Sequence, residues 1–196
     1  MIDPLGAAEY FIVRAFEDGN DEGMTNLKLQ KLLYYTQCLH LALFDSPLFE
    51  EQIQAWRHGP VCPSAYQFYS DYEAKQLPIP LGETFSEMPD SSLEVMEEAW
   101  DNFKDFSAER LSKMTHTEAP WLNARGDLPK HAASQEPLDL GDMKRLGVEI
   151  LAAIERRHPD YEPAVEEALG EALVLVGKKT SNDNQDIRDW LESLLD

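Results

Sequence analysis

Hydrophobic positions fall into helical periods along most of the chain. In "DPLGAAEYFIVRAF", Asp3 is a capping residue and Pro4 suits a first turn. Ala8, Phe11, Ala15 and Phe16 fall along one face, so the spacing predicts a first helix. The acidic, glycine-containing "EDGNDEG" closes it. Thr25 then caps the strongest helical segment, "NLKLQKLLYYTQCLHLALF", which is apolar nearly all round, with Lys28, Gln30, Lys31 and Gln37 as its polar interruptions. A helix of that kind packs on several sides and is expected at the centre of the fold. "DSP" at 45–47 ends it.

Residues 50–57, "EEQIQAWR", alternate briefly, as in a short strand or extended arm. "HGP" follows as a turn: Gly59 permits a backbone angle other residues resist, and Pro60 fixes the exit. Pro63 opens a helix through "SAYQFYSDYEA", with Tyr66 and Tyr69 on one face. The proline-rich stretch from Gln76 to Pro89 is a loop whose "LPIP" is a candidate pairing partner for the arm. Ser91 and Glu94 have capping-box spacing, and Leu93, Met96, Trp100 and Phe103 form the stripe of the helix they would open. Ser107 caps a short helix through Met114, and "THTEAPW" leads to a polar loop from Gly126 to Pro137. A helix from about Gly141 to Arg157 carries Met143, Leu146, Ile150 and Ile154 on one face. Two more amphipathic stretches finish the chain, Pro163 to Val176 and Gln185 to Leu195. No internal repeat is evident. The pattern predicts a mainly α fold: a compact multi-helix domain over residues 1–158, with at most a short β pair near residues 50–57, and a helical C-terminal extension over 159–196 packed on or appended to it.

Charge narrows the function classes. The chain has 17 basic and 37 acidic residues, a formal charge of −20. Such a surface repels phosphate backbones and anionic lipid, which argues against nucleic-acid or membrane binding. It suits a basic protein partner, although acidity also serves solubility alone. With two cysteines, Cys38 and Cys62, no disulfide framework is implied. No basic leader precedes the first apolar residues and no apolar run has membrane-spanning length, so a cytoplasmic protein is expected.

Candidate chemistry is sparse. "CLH" at 38–40 and "HGPVC" at 58–62 place two Cys and two His close in sequence. Cys38 and His40 lie two apart on a helix and face different ways, and neither pair has zinc-knuckle spacing, so no metal site is expected. Cys62 has no local nucleophile motif, and Ser64 lacks the Gly-x-Ser-x-Gly elbow. His58 and His116 are possible general bases, but a histidine without a surrounding signature is more often structural. There is no P-loop and no dinucleotide fingerprint. Neither a cofactor nor a catalytic residue is expected. "KLQK" on a greasy helix, followed by an acidic aromatic one, also fits a DNA-reading helix poorly.

Three ordered blocks carry a resemblance. The first is Thr25, Asn26 and Lys28 to Tyr35; the second is Ala55, Trp56, Gly59, Pro60, Val61 and Tyr66; the third is Leu111, Thr115, His116, Pro120 and Trp121. Together they resemble the Panacea domain, the SocA-like antitoxin family of bacteria and their phages. Residues from about 160 onward go beyond the shared pattern.

The resemblance implies a noncatalytic partner-binding protein encoded beside a toxin, within a family of neutralising modules found opposite toxins of unrelated chemistry. The implied partner is a cognate toxin from the adjacent gene. Some relatives act as adaptors that hand a toxin to a protease, so a protease adaptor or phage-linked regulator is an alternative, and a metal-assisted hydrolase using His58, His116 and carboxylates is a third. The expected partner-binding residues are Lys28, Lys31, Trp56, His58 and His116, with Gly59 and Pro60 as the structural turn. His58 and His116 are expected to meet across the fold and to join Lys28 and Lys31 at one surface, where charge reversal of either lysine would weaken a complex without unfolding the protein.

Overall fold

The computed structural model describes residues 1–80, 88–129 and 131–157. The expected helices at Pro163 to Val176 and Gln185 to Leu195 lie outside the described residues. Residues Met1–Leu151 form one unit, and residues from Ala152 onward are assigned to a second; every candidate site residue lies in the first.

Helix α1, Pro4–Glu17, starts as its sequence requires: the Asp3 carboxylate accepts from the Leu5 N–H at 3.1 Å, and Pro4 opens the first turn. Ala7, Ala8, Phe11, Ile12 and Ala15 are buried, but Phe16 is 53% exposed. At 100° per residue Phe16 lies well round the helix from Phe11, and Ile12 completes the stripe in its place.

Helix α2, Asn26–Phe44, is the centre of the fold, with Thr25 Oγ1 accepting from the Lys28 N–H at 3.3 Å. It packs against α1 and against the later helices α4, Asp90–Phe103, and α5, Ala108–Thr115. Leu29, Leu32, Leu33, Tyr34, Cys38 and Leu39 are fully buried. Its polar interruptions are buried as well, and each holds a passing backbone. Gln37 accepts from Leu48 N at 2.8 Å and donates to Phe49 O at 3.1 Å; Gln30 accepts from Cys62 N at 2.9 Å; Lys31 donates to Pro60 O at 2.8 Å; Lys28 donates to Lys104 O. Unpaired backbone groups are costly to bury. A helix enclosed on all sides therefore carries polar side chains that satisfy the loops around it.

The β pair is a hairpin, β1 (Gln54–Trp56) against β2 (Gly59–Val61), with Ala55 opposite Pro60 and a two-residue Arg57–His58 tip. The expected pairing with "LPIP" does not form: Leu77 N donates to Met24 O at 2.9 Å. The other edge of β1 is taken by the end of the polar loop, where Ala55 N donates to Glu136 O and Leu138 N to Ile53 O, both at 2.8 Å. Pro63 opens α3, Pro63–Phe68, which is shorter than expected and passes into a 3-10 turn at Ser70–Tyr72.

In α4 the expected capping box is absent. Pro89, already extended at φ −59, ψ 138, takes the cap position, which puts Ser91 inside the helix where it has no cap to make. Val95, Met96, Ala99, Trp100 and Phe103 face the core, with Leu93 half-buried. Ser107 caps α5 by accepting from Arg110 N at 3.2 Å. Helix α6, Ala119–Arg125, is not expected from the sequence, although Pro120 in its first turn and Gly126 at φ +51 after its end are helix punctuation. Helix α7, Leu140–Glu155, crosses α2 closely: a Cβ on Gly147 would lie 2.0 Å from the Cys38 carbonyl oxygen.

Candidate functional site

The hairpin is where the three sequence blocks meet. Taken in order, its carbonyls are claimed by side chains from three helices, α2, α5 and α6, and by His116 at the end of α5. Ala55 O accepts from Arg125 Nη1 at 3.1 Å, and Trp56 O accepts from Trp121 Nε1 at 2.9 Å. Arg57 O lies 3.0 Å from His116 Nε2, His58 O accepts from Ser112 Oγ at 3.1 Å, and Pro60 O accepts from Lys31. Thus "LQK", "TH" and "PW" are brought together as the socket that holds "AWRHGPV" in place.

Gly59 is the pivot, at φ +99. A Cβ there would lie 2.6 Å from Thr115 Oγ1 and 2.7 Å from Lys31 Nζ. Gly59→Ala is expected to lower unfolding free energy by roughly 1–3 kcal/mol through strain alone, more if Lys31 leaves Pro60. Urea titration against the wild type measures it; a shift under a few tenths would contradict this geometry.

Beneath the turn, Lys31 is fully buried. Burial pulls its ammonium from the ordinary 10.5 to about 7, with the nearby Glu118 carboxylate opposing. Glu118 accepts from Tyr34 OH at 3.0 Å and Tyr35 OH at 2.8 Å, yet burial still raises its pKa. The surface position expected for Lys28 and Lys31 is therefore corrected. Lys28 is 5% exposed, donates to Lys104 O and sits 5.9 Å from the Trp100 ring, on the α4 side rather than at the hairpin. Both lysines follow carbonyls that only the folded chain presents. Reversing either charge would bury an uncompensated carboxylate and unfold the protein.

Of the remaining site residues, Trp56 and His58 lie on the hairpin, and His116 reaches the hairpin backbone. His116 packs edge-on to Trp121 at 4.3 Å, with Nδ1 2.6 Å from Ser112 O and Nε2 against the hairpin. His58 is exposed at the tip. Its pKa is lowered by partial burial and by Arg57, Lys31 and His116. Trp56 is half-buried, donates to Gln54 Oε1 at 2.7 Å and meets the Tyr66 ring at 4.8 Å. Between α2, the hairpin and α3 opens a cleft of about 440 Å³, bordered by Leu27, Trp56, Arg57, His58, Tyr66 and Glu73 among others. Arg57, Ser112, Arg125 and Glu73 escape a reading of the sequence. Surface-type residues in loops and on amphipathic helices carry no signal of which carbonyl or cleft they will reach.

Nucleophiles are placed structurally. The Cys62 thiol donates to Glu51 Oε2 at 3.0 Å and is pushed up to about 12 by burial and that carboxylate, so it stays protonated. Ser64 donates to the same carboxylate, which also accepts from Ser64 N at 2.8 Å. Cys38 is buried, while His40 turns away to Ser46 O at 2.7 Å. Among the described residues no group of three His, Cys, Asp or Glu is arranged to hold a metal, and no helix is long and apolar enough to cross a membrane.

These features define a helical module in which Lys31, Ser112, His116, Trp121 and Arg125 hold a hairpin beside an open cleft. The family described as antitoxin SocA-like, Panacea domain, has a model that matches residues 29–122, from the first turns of α2 into α6. Over that stretch the chain is similar to the SocA-like Panacea domain, and the family suggests an antitoxin-type role. No curated protein and no solved structure gave a significant match.

Proposed function

We propose that this chain is an antitoxin that neutralises a cognate toxin, encoded by the adjacent gene, through direct protein–protein binding in the cytoplasm. The observation that carries the reading is the Panacea match over residues 29–122. The charge of −20 supports it, since toxins that act on RNA or ribosomes present basic surfaces that an acidic binder meets with favourable long-range attraction. The role is binding rather than catalysis, with the hairpin face, Trp56 and His58 above His116, as the contact surface. The test is growth of cells expressing the adjacent reading frame with and without this chain. Arrest by the neighbour, relieved by the chain, is the expected result. A toxic neighbour that the chain fails to relieve, or a harmless one, overturns the reading. Relief accompanied by protease-dependent loss of the toxin assigns the adaptor role instead.

A further inference from the structure

The cleft beside the hairpin has a chemistry of its own. Its inner polar groups are already engaged: Asn26 Nδ2 donates to Tyr66 O at 3.0 Å, Gln30 Nε2 donates to Asn26 Oδ1 at 3.0 Å, and Gln30 Oε1 accepts from Cys62 N. What remains open to a ligand inside is apolar, the walls of Leu27, Val61, Trp56 and Tyr66. A volume of about 440 Å³ suits one or two side chains.

The rim is charged and asymmetric. Arg57 and His58 stand exposed on the hairpin side, and among the described residues neither side chain has an acidic partner. In a chain with 37 acidic residues against 17 basic ones, an exposed arginine without a carboxylate is a local reversal of sign. At physiological salt the net charge is screened beyond about 8 Å, so these neighbours decide what the mouth attracts. Glu73 also borders the cleft, with its backbone at φ 49, ψ −114, a conformation uncommon outside glycine.

We propose that this cleft is a docking site for an extended segment of a partner protein in which a large apolar side chain is followed by a carboxylate, the apolar group filling the Trp56–Tyr66 pocket and the carboxylate meeting Arg57. The proposal deepens the antitoxin reading by naming the feature of the toxin that is gripped. An aromatic wall with an arginine at its edge is the composition of an interface anchor. A polyanion such as nucleic acid is disfavoured by Glu73 at the mouth and by the apolar interior, which among the described residues has no further cation to receive a run of phosphates.

The test uses the full chain and three capped tetrapeptides, Gly-Phe-Glu-Gly, Gly-Phe-Lys-Gly and Gly-Ala-Glu-Gly, followed by amide and indole NMR shifts. Saturable shifts at Trp56, Tyr66 and Ser70 with the Phe-Glu peptide, at a Kd of about 1 mM, are expected. The Ala-Glu peptide, which cannot fill the pocket, is expected to give no saturable shifts. Binding of the Phe-Lys peptide is expected to be about tenfold weaker and to become the stronger of the two in Arg57→Glu. No cleft shifts, equal binding of the Phe-Glu and Phe-Lys peptides, or tighter binding of adenosine monophosphate at the same residues would overturn the proposal. Arg57→Glu in the growth assay separates the two claims. Full relief of a toxin by the variant removes the cleft and leaves the antitoxin reading standing. Failure of the unaltered chain to relieve removes that reading, and the peptide titration still decides the cleft.

Discussion

Between pH 7 and 9 the unfolding free energy of this protein is expected to rise by roughly 1–2 kcal/mol, and the rise is expected to vanish in Lys31→Met. The cause is the buried ammonium, held at about 7 when folded against an ordinary 10.5. In that interval the unfolded chain binds the proton and the folded chain does not, so stability grows with pH at up to about 1.4 kcal/mol per unit. The contribution is complete above the unfolded value and is lost as pH falls through about 7. Over the whole window the shift corresponds to roughly 5 kcal/mol, but other groups cut it short. Cys38 and Cys62 are both raised by burial, so above about 9 the unfolded thiols ionise while the folded ones do not, and stability falls again. Tyr34 and Tyr35 act in the same sense above about 10. Glu118, raised in the folded state, acts from the acid side, with stability lost as pH climbs from its ordinary value to its raised one. The profile should therefore peak near pH 9. Urea unfolding at a series of pH values measures it, and parallel profiles for wild type and Lys31→Met would show that Lys31 is not the buried titrating group.

The second large effect is at Trp100. Its ring is fully buried, its centroid lies 6.5 Å from that of Phe11, and its Nε1 donates to Asp18 Oδ2 at 2.7 Å. That bond is the largest influence holding the Asp18 carboxylate below its usual pKa, with Arg14 and Lys104 also lowering it. Trp100→Ala is expected to remove about 3–5 kcal/mol of stability. Trp100→Phe keeps most of the packing but loses the indole donor, and should cost about 1–2 kcal/mol. Thermal unfolding of the pair ranks them; equal losses would mean that the Asp18 bond, not the packing, holds α1 to α4.

What is readable in the sequence is local. Asp3, Thr25 and Ser107 can be recognised as caps because a side-chain oxygen needs only the next two or three N–H groups. Gly59 and Pro60 announce a turn for the same reason. What the sequence conceals depends on partners distant along the chain. Lys28 and Lys31 look like surface cations until Lys104 O and Pro60 O arrive to receive them. His116 looks like a possible base, yet its nitrogens lie against Ser112 O and Arg57 O, the latter 59 residues away. The hairpin forms within the motif instead of with "LPIP" because a two-residue tip closes a far shorter loop. Gly147 gives a faint signal, a glycine inside a helical pattern, whose meaning emerges only with Cys38 O beneath it. The candidate site divides similarly. Trp56 and His58 are found from the turn that presents them, whereas Arg57 and Glu73 matter through the cleft that folding creates.

The proposed action of this domain, holding a toxin in a stable complex, is tested by co-purification. The affinity-tagged chain, expressed with the product of the adjacent gene, should elute with it as one stoichiometric complex on size-exclusion chromatography, and the purified chain should abolish the toxin's activity when added in equal amount. Separate elution of the two proteins, with the toxin's activity undiminished by excess chain, would rule out neutralisation by direct binding.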